Sequence, residues 1–270
     1  MLRGKRALVT GASSGIGAEL ARLLAAEGVD LVLTARRKDA LDRVAAQCAN
    51  VRVDVVTGDL GQPGAAKAVW DAASTGPIDI LINNAGFGYF RAFIDADWQR
   101  DAELLQLNIT SLVELSRRFC EARKGSQDKS YLVNIASIAA YQSTPNFAVY
   151  TSSKAFVRNF TEALHDEFAG TPLSVTCISP GGTHTEFHAS AGAGNYGWLA
   201  TKSMLTAAEV AAITMSAMKK GKRNVIPGVM NKISCFAVRF VPRAFASWMS
   251  RRVLGKPRAA ALPSRASEAS

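Results

Sequence analysis

Tyr150 and Lys154 stand four residues apart in the stretch Tyr150-Thr151-Ser152-Ser153-Lys154. On a helix that spacing puts both side chains on one face, within reach of a common object. A tyrosine by itself, with a pKa of about 10, is a weak acid at neutral pH and almost never a base. A fixed positive charge nearby favours the phenolate and lowers that value. The pair then suits giving a proton to an oxygen, or taking one away, near physiological pH. Taken alone, a Tyr-x-x-x-Lys is usually an ordinary amphipathic helix with a surface lysine. Its chemistry depends on what the rest of the chain brings beside it.

The elements that must position the pair alternate between strand and helix, the pattern of a parallel sheet covered by helices on both faces. Arg6 to Thr10 predicts the first strand, and a helix follows as far as Glu27, stopped by Gly28. Further strands are expected at Val29–Thr34, Val51–Val56, Ile78–Ile82, Tyr131–Ile135, Leu173–Ile178 and Asn224–Pro227. One long helix is expected over Trp98–Arg123, and another from Tyr150 to about Phe168. Between the first strand and its helix lies Gly11-Ala12-Ser13-Ser14-Gly15-Ile16-Gly17. Its three glycines permit tight turns and let main-chain N–H groups approach an anion at a helix N-terminus. The spacing is a variant of the dinucleotide fingerprint. At the end of the second strand, where an NAD site wants a carboxylate for the ribose, the chain has Thr34-Ala35-Arg36-Arg37. Two guanidiniums and no acid favour a 2′-phosphate, so NADP(H) is expected over NAD(H).

Thr10-Gly11-Ala12-Ser13-Ser14-Gly15-Ile16-Gly17, Asn83-Asn84-Ala85-Gly86, Asn108, Ser137, Tyr150-x-x-x-Lys154 and Pro180-Gly181, in that order, resemble the short-chain dehydrogenase/reductase family over about residues 3–226. The resemblance implies a Rossmann-type, doubly wound parallel α/β sheet of about seven strands, and a catalytic tetrad of Asn108, Ser137, Tyr150 and Lys154. Carbonyl reduction needs hydride at carbon and a proton at oxygen, with the developing alkoxide charge stabilised. Ser137 is placed to donate a hydrogen bond to that oxygen and Tyr150 to give its proton. Lys154 would tune the tyrosine and hold the nicotinamide ribose. Asn108 is a poor helix former in mid-helix, and its family role is to hold a water feeding the proton relay. By the same resemblance Gly11, Ser13, Ser14, Gly15, Ile16 and Gly17 cradle the cofactor, and Arg36 and Arg37 select its phosphate. Asp59 and Leu60 sit by the adenine, and Asn83, Ala85 and Gly86 lie along the cofactor. Pro180, Gly181, Thr183 and Thr185 complete the site, with Thr185 at the nicotinamide end.

The chain has 270 residues, 48% of them hydrophobic, enough for one α/β domain with a large core. Cys48, Cys120, Cys177 and Cys235 are widely spaced, as expected of reduced thiols in a cytoplasmic protein with no zinc site. No apolar run approaches a signal-peptide core or a membrane span. The net charge of +10 is uneven: between Val210 and Ser267 there are 12 Lys or Arg and no Asp or Glu. Residues 1–228 are read as the catalytic domain, 229–255 as a basic amphipathic helical extension broken by Pro242, and 256–270 as a tail disordered in isolation. Such an extension can lie on an anionic membrane surface. It can also be a flap over the substrate cleft or against a second subunit. Nucleic acid is disfavoured, because the cations alternate with large apolar residues.

The loops at the carboxyl ends of the strands carry Phe87, Tyr89, Phe90, Tyr141, Phe147, Phe187, Tyr196, Trp198 and Leu199, and the Gly-rich run Ala191 to Gly197 resembles a lid. An apolar ketone, aldehyde or alcohol is the expected substrate. Alternatives are a 3-oxoacyl thioester on coenzyme A or a carrier protein and, from another class, a non-catalytic NADP(H)-binding module. The resemblance also implies a homo-oligomer, a dimer or tetramer built on the Asn108 and Tyr150 helices.

Overall fold

Seven short, largely apolar runs pair side by side in the computed structural model, which describes residues 2–184 and 204–254. The strands are β1 (Arg6–Thr10), β2 (Asp30–Ala35), β3 (Val53–Thr57), β4 (Ile80–Asn83), β5 (Ser130–Ile135) and β6 (Leu173–Ile178). Two short strands, β7 (Thr183–His184) and β8 (Leu205–Thr206), pair with each other, and β9 (Asn224–Val225) closes the main sheet. Its order is β3-β2-β1-β4-β5-β6-β9 with every neighbouring pair parallel. The helices are α1 (Gly15–Ala26), α2 (Lys38–Ala46), α3 (Ala65–Ala73), α4 (Trp98–Leu105), α5 (Leu112–Ala122), α6 (Ala148–Glu167), α7 (Ala207–Lys219), α8 (Val229–Ala237) and α9 (Arg243–Leu254).

Side chains alternate across a strand, so β1 feeds two cores. Ala7 and Val9 join Leu20, Leu24, Leu41, Met215 and Met218 on the side of α1, α2 and α7. Leu8 joins Val69, Leu115 and Phe119 on the side of α3 and α5. Burial on both faces is why the central strands are nearly continuous apolar runs. The expected Rossmann-type sheet of seven parallel strands is the one observed. Its order reverses at β1, which lies between β2 and β4, and ligands of such sheets bind outside the strand ends at that switch point. All four cysteines are free.

Two helical stretches differ in detail from expectation. The helix expected over Trp98–Arg123 is interrupted by a π-helical segment, Gln106–Ser111, centred near Asn108. Tertiary hydrogen bonds hold that wider turn: Ser111 Oγ donates to the Leu60 carbonyl at 2.6 Å, and the Asn108 amide reaches the loop after β4. The basic extension breaks where Pro242 stands. α8 passes through a 3₁₀ turn, Val238–Phe240, into extended Val241, and α9 begins at Arg243. Asn231, Cys235, Ala246 and Ser250 form its buried side, and Ser250 Oγ donates to the Ser143 carbonyl at 3.1 Å. The tail from residue 256 lies outside the described residues.

Candidate active site

β5 delivers the first polar group. Just past its end, Ser137 N-caps a 3₁₀ turn, Ile138–Tyr141, accepting from the Ala139 N–H at 3.1 Å. That bond uses Oγ as acceptor and leaves the hydroxyl proton for another partner. The turn is anchored to the end of β6 by Ile138 N–H donating to the Pro180 carbonyl at 2.9 Å.

Tyr150 stands in the first turn of α6 and is only 7% exposed. Phe147 stacks on its ring, with centroids 4.3 Å apart and planes at 20°. Gly88 crowds the ring from the loop after β4: a Cβ there would sit 2.4 Å from Tyr150 Cδ2. The ring is thus gripped by an aromatic face and a bare stretch of backbone. Lys154, one turn further along α6, is 5% exposed, with Nζ 5.9 Å from the Tyr150 ring centroid. Its ammonium donates to the Ile135 carbonyl at 2.9 Å. Burial penalises the charged form and brings its pKa from 10.5 down to about 8. The lysine therefore remains largely a cation at neutral pH, but with little reserve.

Asn108 is fully buried within the π-helical segment. Its Oδ1 accepts from Phe87 N–H at 3.1 Å, and its Nδ2 donates to the Phe87 carbonyl at 2.9 Å and to Ser153 Oγ at 3.1 Å. Ser153 Oγ in turn donates to the Tyr150 carbonyl at 2.7 Å. The amide is committed to fixing the Gly86–Gly88 loop against α6, and π-helical turns of this kind recur at functional sites. A Cβ on Gly86 would lie 3.0 Å from Asn108 Oδ1 and 3.2 Å from Lys154 Nζ, as one on Gly88 would meet the Tyr150 ring. Three of the four expected catalytic positions thus border this loop, with Ser137 just past the end of the neighbouring β5.

The glycine turn adjoins it. Thr10 Oγ1 accepts from the Asn84 and Ala85 N–H groups at 3.0 and 2.9 Å, and Asn84 Nδ2 donates to the Thr10 and Gly11 carbonyls at 3.0 and 3.1 Å. These bonds clamp the ends of β1 and β4 together. A Cβ on Gly17 would fall 2.3 Å from the Gly11 carbonyl oxygen, so only glycine lets α1 start this close to the turn. Ser14 is the N-cap of α1 but makes no side-chain capping bond, and the first turn has no acid. Its N–H groups and the positive end of the helix are left for an anion. A dinucleotide diphosphate fits there, flanked by Ser13, Gly15 and Ile16.

Of the other expected contacts, exposed Arg36 and half-buried Arg37 follow β2 at its carboxyl end. Half-buried Asp59 accepts from Gly61 N–H at 3.0 Å, and Leu60 is buried with its carbonyl on the π-helical segment. Ala85 and Gly86 line the β4 end. Asn83 is there too, but its amide donates to Ser116 Oγ and Asn134 Oδ1 at 3.0 and 2.9 Å, which turns the side chain into the layer beneath α5. Pro180 and Gly181 follow β6, and buried Thr183 donates to the Gly181 carbonyl at 3.2 Å. Thr185, Phe187, Tyr196, Trp198, Leu199 and the Gly-rich run lie outside the described residues. Phe87, Tyr89, Phe90 and Phe147 gather around Tyr150, with the Tyr89 hydroxyl donating to Asp101. Tyr141 instead faces away, its oxygen accepting from Asn224 Nδ2 at 2.8 Å and its ring under Arg158. It borders a groove of 1530 Å³ between α6 and the extension that includes none of Ser137, Tyr150 or Lys154.

Sequence reasoning missed Gly88 and Ser153 as supports of the site, and had Phe147 only among the aromatics of the substrate end. Ser153 carried the same signal as Asn108, a poor helix former inside a helix. Gly88 carried none, because its crowding partner is remote in sequence.

A switch-point site with a bare helix N-terminus and a buried Tyr–Lys pair defines a dinucleotide-binding α/β oxidoreductase. The chain matches the family described as short chain dehydrogenase over residues 5–195, and it belongs to that family. It is 34% identical to an uncharacterized oxidoreductase of Staphylococcus aureus over 192 residues, 70% of this chain and 83% of that one. A 7β-hydroxysteroid dehydrogenase structure superposes with a TM-score of 0.83 at 26% identity, covering 92% of this chain and 97% of that one. A short-chain dehydrogenase from Sphingobium yanoikuyae in complex with NADPH gives 0.78 at 29% identity, covering 95% and 98%. The protein is thus an oxidoreductase of the alcohol–carbonyl type that uses a nicotinamide dinucleotide.

Proposed function

We propose that the protein is an NADPH-dependent reductase of an apolar ketone or aldehyde, or catalyses the reverse oxidation, with Tyr150 as proton donor or acceptor. The observation that carries the reading is the buried Lys154 ammonium 5.9 Å from the Tyr150 ring, held by the Ile135 carbonyl at the end of β5. When bound, the reduced dinucleotide supplies a hydride. Ser137 donates its hydroxyl hydrogen to the carbonyl oxygen, which orients the substrate and stabilises the charge that grows there. Tyr150 gives its proton to that oxygen, and the Lys154 ammonium stabilises the negative charge left on the phenol oxygen. In a poorly solvated site that attraction is stronger than in water. Asn108 and Ser153 act as positioning residues that hold the loop and α6 in register.

Arg36 and Arg37, with no acid at the end of β2, support NADPH over NADH, and one structural relative holds NADPH. The aromatic group around Tyr150 supports an apolar substrate, as does the likeness to a hydroxysteroid dehydrogenase. Residues 1–228 would be the catalytic domain and 229–255 its extension. A homo-oligomer through α5 and α6 is supported by Phe156, 41% exposed on α6 and stacked on Phe160, and a cytoplasmic location by the free thiols.

The test is a panel of apolar ketones and 3-oxoacyl thioesters with NADPH and NADH, followed by nicotinamide absorbance. Ketone reduction favouring NADPH is expected. Preference for the thioesters would move the substrate to that class, and NADPH binding without turnover of any carbonyl would refute the reading.

A further inference from the structure

The last two described helices carry an apolar surface that the catalytic body leaves open. On α8 and the turn after it, Val229, Ile233, Phe236 and Phe240 recur every three or four residues and so form one stripe. They are 71, 57, 59 and 73% exposed, while Asn231 and Cys235 on the other side are buried. A helix of a globular protein normally turns its apolar stripe to the core; this one turns it to solvent. α9 adds Phe245, Trp248 and Met249, all exposed. Interleaved with them are exposed Lys232, Arg239, Arg243, Arg251 and Arg252, with no acid between Val210 and Ser267. An extensive apolar patch bordered by charge of one sign marks an interaction surface.

We propose that this face lies flat on an anionic bilayer, with the apolar stripe among the headgroups and the cations on lipid phosphates. Large apolar side chains backed by Arg and Lys are the composition of interfacial helices. At 9 and 12 residues, α8 and α9 are far short of the roughly 20 needed to cross a membrane. A second copy docking through the same patch would set the same cations against one another in a two-fold interface, which disfavours self-association here. An acidic protein would answer the charges but has no stated use for the apolar stripe.

The buried side of the extension meets the substrate-side loops. A Cβ on Gly181 would lie 2.4 Å from Asn231 Nδ2, and Ser250 is bonded to Ser143, in the loop between Ser137 and Tyr150. A docked chain therefore holds the rim of its site at the lipid surface, where apolar carbonyl compounds partition. That consequence rests on the apolar-substrate reading, whereas the docking does not.

The experiment is flotation of the full chain with vesicles of phosphatidylcholine alone or mixed with phosphatidylglycerol, at low and high salt, with NADPH binding as a check of folding. The parent should float only with the anionic vesicles, and salt should release it. Arg239→Glu/Arg243→Glu and, separately, Phe236→Asp/Phe240→Asp should each lower partitioning by about tenfold or more. Failure to float with anionic vesicles at low salt overturns the proposal whatever the enzyme assays show. So does unchanged partitioning of both variants, a dimer that Phe236→Asp/Phe240→Asp disrupts, or saturable binding of an acidic carrier protein that vesicles do not displace.

Discussion

Replacing Lys154 by methionine should make the protein more stable and, at the same time, inactive. Burial brings the lysine pKa from 10.5 to about 8, which at 1.36 kcal/mol per pH unit is a penalty of about 3 kcal/mol for keeping the ammonium in place. The folded value is the lower one, so between the two values the unfolded chain binds more protons than the folded chain. The contribution to stability therefore rises with pH from about 8 to 10.5, and at pH 7 the whole penalty is present. Methionine has a similar length and no charge, but it leaves the Ile135 carbonyl without its 2.9 Å donor, a loss of about 1 kcal/mol. The net gain at neutral pH is about 2 kcal/mol, or a Tm higher by about 4–8 °C. Urea unfolding of parent and Lys154→Met, without cofactor and across this pH range, measures the difference with other titrations cancelling. The advantage should shrink above pH 8 and change sign at about pH 9.5–10, where about 2 kcal/mol of the penalty has been lost, while carbonyl reduction falls about 10³-fold. A variant less stable at pH 7, or a difference independent of pH, would refute the reasoning. The parent's own rate of reduction should decline as pH rises through about 8, where Lys154 loses its charge.

Gly17→Ala puts a methyl 2.3 Å from the Gly11 carbonyl oxygen, a strain of about 1–3 kcal/mol. Fluorescence titration should show NADPH binding at least about tenfold weaker. Gly88→Ala pushes on the Tyr150 ring at 2.4 Å, so kcat should fall by about tenfold or more at that same strain with NADPH affinity largely retained. A loss confined to affinity would place Gly88 in the wrong role. Arg36→Asp should lower the NADPH to NADH ratio of kcat/KM by about ten- to a hundredfold, the worth of a hydrogen bond to a charged group. An unchanged ratio would remove Arg36 from phosphate selection.

The sheet was legible because strands buried on both faces are nearly continuous apolar runs, and Leu8 or Leu81 has no other place to go. Residues of the candidate site stood out in the sequence where their type is awkward for their element: Asn108 inside a helix and three glycines at a strand–helix junction. The π-helical segment was not, because its cause is tertiary, the tie from Asn108 to Phe87 and Ser153. Nor was Gly88, whose need to be glycine comes from a ring on another element. Pro242 announced the break between α8 and α9. Which side of α8 faces outward could not be read, since the spacing of Ile233, Phe236 and Phe240 is the same whether the stripe turns to the core or to solvent.

Tyr150 is the residue proposed to transfer the proton beside bound NADPH. Tyr150→Phe removes the hydroxyl and keeps the ring stacked on Phe147, so comparing its rate of NADPH-driven carbonyl reduction with its NADPH affinity isolates the proton. A fall of about 10²–10⁴-fold in rate with affinity nearly unchanged is the predicted result. Turnover equal to that of the parent would contradict it.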